Sequence, residues 1–171
     1  AYPPGSTFKM IVAAAALEIG LIGLNDKIFC PGFYELGSRK FHCWLKGGHG
    51  KLKLQEAIQK SCDVYFYELA RKVGVKKIGD MARRLGLGQA YNLPLTGLSK
   101  GFVPTKKWKK ERFGTSWLVG DTLNVGIGQG FSLATPLQLA VMTARLASGK
   151  EVTPNIIKNP NKNVGDPKAL S

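Results

Sequence analysis

Two short segments bring together residue types that could do nucleophilic chemistry. "YPPGSTFKM", residues 2–10, sets Ser6 three positions before Lys9, and "QKSCDVYFYELA", residues 59–70, sets Ser61 and Asp63 on either side of Cys62. A serine hydroxyl attacks poorly until a base takes its proton. Residues three apart on a helix share one face, so a helical segment here brings the Lys9 amine to the Ser6 hydroxyl. A dry or positively charged pocket makes an amine a better base, and the free N–H groups of a helix N-terminus suit a developing oxyanion. A second reading competes at both places. Ser6 also suits the N-cap or first turn of a helix followed by a surface lysine, and Ser61 and Asp63 also suit a helix start.

A different chemistry is suggested by Cys30, Cys43 and Cys62, the only cysteines, with His42 and His49, the only histidines. The spacing Cys30-x12-Cys43-x5-His49-x12-Cys62 offers three sulfurs and one imidazole, a donor set for a closed tetrahedral zinc site. His49 is preferred to His42 because it lies in the glycine-rich turn "GGHG". The role would be structural, since four protein ligands leave no position for water. There is no tight C-x2-C pair. A disulfide plus one free thiol, or three small buried residues, are the alternatives, and an odd count fits a disulfide framework poorly.

These side chains need elements to position them. At 171 residues, 44% hydrophobic, the chain can bury one real core. After the stiff Tyr2-Pro3-Pro4-Gly5 lead, a buried helix is expected over 6–22. Its apolar stretch, Met10 to Leu24, is broken by Glu18, Gly20 and Gly23 and is too short to span a bilayer. Residues 26–50 lack a period and read as loops and short strands. Helices are expected from Lys53 to Ser61, from 64 to near Gly74, and through "VKKIGDMARRLGLG", stopped by Gly86 and Gly88. Residues 89–120 are mixed. "GDTLNVGIGQGFSL" reads as a short strand or loop and a glycine turn, ahead of a helix with Thr135 as N-cap and Pro136 at its first position, ending near Gly149. The tail from 158 to 171 has no period. With no initiator Met, the chain is expected to be a piece of something longer.

Twenty-five Lys and Arg against 11 Asp and Glu give a net charge of +14. The basic residues are scattered, and no nucleic-acid-reading motif is present, so nucleic acid is not expected as a partner. An anionic membrane surface or cell-wall polymer fits the charge at least as well. The densest cluster, "PTKKWKKERFG" at 104–114, reads as a surface turn with Trp108 and Phe113 packed inward.

Acyl-serine enzymes of the penicillin-interacting type carry S-x-x-K, then S-x-N, then K-[ST]-G. Ser6 to Lys9 matches the first, and Ser61-Cys62-Asp63 the second with aspartate for asparagine. With "GHGKLKLQEAIQKSCDVYFYELA" and "GDTLNVGIGQGFSLATPLQLA" in the same order, essentially the whole chain resembles the class B penicillin-binding proteins, closest to the elongation type. The resemblance implies the α/β (α+β) fold shared with serine β-lactamases, an antiparallel sheet flanked by helices, of which this chain is a mostly helical part. It implies a D,D-transpeptidase with no catalytic cofactor, at the periplasmic face of the bacterial inner membrane. Its partners would be D-Ala-D-Ala stem peptides, β-lactams and a membrane glycosyltransferase of the elongation machinery. By position, Ser6 is the acylated nucleophile, Lys9 its base, Ser61 a proton relay, and Asp63 a residue that positions substrate or Lys9. An ionised aspartate only accepts hydrogen bonds, so Asp63 is expected to pair with a cation or a substrate N–H.

No K-[ST]-G occurs in residues 1–171, which are expected to begin just before S-x-x-K and end before the third motif, leaving the active site incomplete. Some relatives carry zinc between the first two motifs with carboxylate ligands. Cys30 and Cys43 would replace two of these, and Cys62 would tie the second motif to the metal. Two rivals remain: a serine β-lactamase or β-lactam sensor, and a non-catalytic zinc-stabilised basic binding module.

Overall fold

In the computed structural model, described here for residues 1–156 and 168–170, helix follows helix except for one short excursion into strands. Most of the aperiodic tail lies outside the described residues. A 3-10 turn at Gly5–Phe8 runs directly into α1, Lys9–Glu18. Four short strands follow: β1 (Ile28–Cys30), β2 (Phe33–Leu36), β3 (Arg39–His42) and β4 (Gly50–Leu52). Then come α2 (Leu54–Gln59), α3 (Asp63–Val73), α4 (Val75–Arg84), α5 (Lys106–Phe113), α6 (Val119–Gly126) and α7 (Pro136–Ser148). The strands pair antiparallel as two ribbons, β1 with β4 and β2 with β3, so that Cys30 lies opposite Gly50 and Phe33 opposite His42. No helix among the described residues is long and apolar enough to cross a membrane.

The centre of the molecule is α3. Its Val64, Tyr65, Phe66, Tyr67, Leu69, Ala70 and Val73 are all buried, and it packs against both α1 and α6. Full burial of side chains such as Phe66 or Leu69 contributes about 2–3 kcal/mol each. Small residues permit the closeness: α1 buries Ala13, Ala15 and Ala16, and a Cβ on Gly126 of α6 would lie 2.4 Å from that of Ala70.

Several sequence expectations are revised. Ser6 is not an N-cap: no side chain caps the first turn, and Ser6 lies within the 3-10 segment with its hydroxyl turned to other partners. The first helix stops at Glu18 rather than 22, because Gly20 takes φ +65° just beyond it. Residues 104–114 are no turn, since Thr105 caps α5 through the Trp108 N–H. Trp108 is half-buried, but Phe113 remains 52% exposed although it touches Trp108 and Phe131. "GDTLNVG" forms α6 and not a strand or loop. The last helix begins at Pro136 after the Thr135 cap and ends on Gly149 in the left-handed conformation.

Candidate active site and the adjoining thiol cluster

Lys9 begins α1, yet only 2% of it is exposed. A buried ammonium needs partners. Its Nζ donates to Asp63 Oδ1 at 2.7 Å, Ser61 O at 2.8 Å, Ser61 Oγ at 2.9 Å and Ser6 Oγ at 3.3 Å. Ser61 Oγ closes the circle by donating to Ser6 Oγ at 2.7 Å. The structure therefore gathers Ser6, Lys9, Ser61 and Asp63, drawn from two places more than 50 residues apart, around one nitrogen. Of the four, Ser6 is the exposed one. The other Asp63 oxygen accepts the Trp44 backbone N–H at 3.0 Å. Asp63 is also the first residue of α3, where its negative charge meets the positive end of the helix.

The segments are held by backbone features. Ser6 is presented by a turn in which the Gly5 N–H donates to Gly128 O at 2.9 Å. A Cβ on Gly128 would lie 2.0 Å from Gly5 O, so the glycine turn after α6 admits the turn bearing Ser6 only because it lacks a side chain. Ser61 sits between α2 and α3 with φ +50°, a left-handed conformation that no other non-glycine among the described residues adopts.

One residue away, Cys62 points the opposite way. Its sulfur, those of Cys30 and Cys43, and a ring nitrogen of His49 all lie within 4.8 Å of one another. His49 Nδ1 is 3.5 Å from Cys43 Sγ and 3.7 Å from Cys30 Sγ. Tetrahedral zinc with ordinary Zn–S and Zn–N bonds gives ligand–ligand edges of about 3.5–3.8 Å, so this donor set fits the ion. All three cysteines are buried and free, with their sulfurs gathered around one another and the His49 ring. The other histidine, His42, is exposed and lies outside the cluster. Burial, helped by the charge of Lys60 and opposed by Asp63, holds the His49 imidazole below its ordinary range, in the neutral form that ligates. Burial also pushes the Cys62 thiol up, so an arriving cation must displace its proton.

Two contributors escape a reading of sequence alone. One is Gly128, whose closeness to Gly5 no spacing reveals. The other is Trp44, which bridges the two clusters. The only trace it leaves in sequence is its place directly after Cys43.

The penicillin binding protein transpeptidase domain model matches residues 1–171. The peptidoglycan D,D-transpeptidase MrdA of Haemophilus influenzae is 39% identical over 161 residues, covering 92% of this chain and 25% of that protein. The chain thus spans about a quarter of the length of such curated relatives. Among solved structures, Pseudomonas aeruginosa PBP2 in complex with WCK 5153 superposes with a TM-score of 0.90 at 38% identity, covering 99% of this chain and 40% of that one. Helicobacter pylori PBP2 in complex with MreC gives a TM-score of 0.89 at 42% identity, covering 97% of this chain and 31% of that one. The helices and small antiparallel ribbons are accordingly a portion of the mixed α/β transpeptidase fold, and the chain belongs to the penicillin-binding protein transpeptidase family.

Proposed function

We propose that the protein carrying this chain is a peptidoglycan D,D-transpeptidase of the elongation type, with Ser6 as its nucleophile. The carrying observation is the Lys9 amine, buried within hydrogen-bond reach of Ser6, Ser61 and Asp63 while Ser6 itself stays open to an incoming substrate. Ser6 Oγ attacks the amide between the two terminal D-alanines of a stem peptide. Its proton passes to Lys9 in its neutral form, directly across 3.3 Å or through Ser61 along contacts of 2.7 and 2.9 Å. The relay has the shorter links, and because hydroxyls rotate, the same contacts serve a proton moving either way. The amide C–N bond breaks, the proton goes to the departing D-alanine nitrogen, and an acyl-Ser6 ester remains. An amine of a neighbouring stem then attacks the ester, completing the cross-link and returning Ser6 to its hydroxyl form. β-Lactams would acylate the same oxygen. Asp63 orients the Lys9 amine by accepting an N–H from its Nζ at 2.7 Å, a contact that an amine and an ammonium can both make.

Residues 1–171 are assigned to the part of the domain bearing the first two motifs, with K-[ST]-G supplied elsewhere in the parent. The parent is assigned to the periplasmic face of the inner membrane, beside a glycosyltransferase of the elongation machinery; the Helicobacter pylori relative solved with MreC supports such company. A structural zinc is assigned to Cys30, Cys43, His49 and Cys62, where it would pin the 30–62 region and add no chemistry to acyl transfer.

The test is covalent labelling of the full-length protein by a fluorescent penicillin. Ser6→Ala should abolish the label, and wild-type label should release slowly. Rapid release would favour a β-lactamase, and label that survives Ser6→Ala would end this reading. Elemental analysis should find about one zinc per chain.

A further inference from the structure

Resting on the reading of Ser6 as nucleophile, we propose that Trp44 is a positioning residue for acylation, its indole N–H holding the Ser61 carbonyl, and with it Lys9, in working geometry from the side of the thiol cluster.

Trp44 is 62% exposed, so core packing does not account for where it sits. Both of its N–H groups are nevertheless engaged. The backbone N–H donates to Asp63 Oδ2 at 3.0 Å, and the indole Nε1 donates to Lys60 O at 3.1 Å and Ser61 O at 3.2 Å. The same groups hold Lys9 from its other side: Asp63 through Oδ1, and Ser61 through its carbonyl as well as its hydroxyl. Trp44 and Lys9 therefore share both an aspartate and a carbonyl, one from each side of the same short segment.

That segment needs holding. Ser61 keeps a left-handed backbone with no glycine to ease it, and such conformations persist where surrounding contacts over-determine them. Trp44 supplies contacts to residues 60, 61 and 63 together. Trp44 is itself fixed from behind, because it follows Cys43 and its ring meets His49 edge-on, with centroids 5.3 Å apart at 67°. The path from the thiol cluster to the reactive lysine is thus Cys43 and His49 to Trp44, then Trp44 to Ser61 and Asp63, alongside the direct covalent link through Cys62. A merely structural role, closing the carbonyl of the Lys60 C-cap of α2, would need the Lys60 contact and not the Ser61 one.

The test uses the full-length protein and stopped-flow acylation by a fluorescent penicillin, resolving the binding constant from the first-order acylation step. Two variants are compared with wild type: Trp44→Phe, and replacement of the Trp44 indole N–H by sulfur, which keeps ring size and exposure. Both should slow the acylation step about tenfold, the loss expected for one functional hydrogen bond. The binding constant should stay within about twofold and the zinc content per chain should be unchanged. An unchanged acylation step in the sulfur variant overturns the proposal, as does a change confined to the binding constant, which would make Trp44 a ligand contact. A slower step matched by lost zinc also overturns it, because the effect would then be structural. Wild type that takes no label fails differently: it removes the Ser6 assignment, and this proposal with it.

Discussion

The two sides of Ser61-Cys62-Asp63 are built on opposite principles. On one side a charge is surrounded by oxygen acceptors, four of them around Lys9, with the exposed Ser6 hydroxyl as the opening to solvent. On the other, three buried sulfurs and an imidazole close on one another with burial as the organising force. The first arrangement can exchange protons and admit a substrate. The second suits a tightly bound cation that stays in place. Their separation by a single residue lets one left-handed connection between α2 and α3 serve both clusters at once. It also explains why Cys62 can be fully buried while both of its neighbours are only partly so.

Breaking the reactive side should have the largest effect. With Lys9 as the proposed base, Lys9→Ala in the full-length protein should slow covalent penicillin uptake by about 10³-fold, while zinc bound at the thiol cluster would persist. Retained zinc beside lost acylation would separate the two sides cleanly, and it is read by labelling kinetics with elemental analysis.

Next comes the ion pair. Asp63→Ala leaves the buried Lys9 without its carboxylate and should cost about 3–4 kcal/mol in denaturant unfolding. Asp63→Asn should cost about 1 kcal/mol, because the amide keeps one acceptor for Lys9 but turns N–H against the Trp44 N–H. The difference between these variants measures why aspartate stands where the family pattern has asparagine.

Cys62→Ser or chelation attacks the other side. With zinc at about one hundred times its dissociation constant, losing it should remove about 2.7 kcal/mol, seen as a fall in melting temperature. Penicillin uptake should decline less than in Lys9→Ala. The reverse order would mean that the thiol cluster, and not Lys9, limits acylation.

The last effect, confined to alkaline pH, should reach both sides through α3. Burial, and to a lesser degree the charge of Asp26, raises the Tyr65 hydroxyl to about 12. The unfolded chain loses this proton near pH 10, so the folded state binds more protons between the two values. Stability from Tyr65 is present below pH 10 and lost as pH rises through 12, about 3 kcal/mol in all. Tyr65→Phe should flatten that decline in unfolding measured across pH 9–12.

Much of this was open to a reader of residues, for local reasons. The Thr135-Pro136 start and Gly149 end of α7, the helix closing on Gly74, and the S-x-x-K face are set by capping, φ preference and helical spacing. The Cys30, Cys43, His49 and Cys62 set was legible by composition, and His49 by its turn. What misled was also local. "GDTLNVG" carries glycines at both ends and looks like a short strand or loop, yet it is helical, with Gly126 letting α6 approach Ala70 of α3. Likewise Ser6 looks like a cap until Ser61 and Lys9 claim its hydroxyl.

The sequence by itself therefore determined which groups can react, which can ligate and where most helices begin and end, because those depend on side-chain chemistry and on neighbours a few residues away. Only the tertiary structure decided that Lys9 meets Asp63 across 54 residues, that Gly128 makes room for the turn bearing Ser6, and that Trp44 reaches from the thiol cluster to the lysine. Those choices depend on which backbones pack together, and packing between distant segments leaves no mark in local spacing.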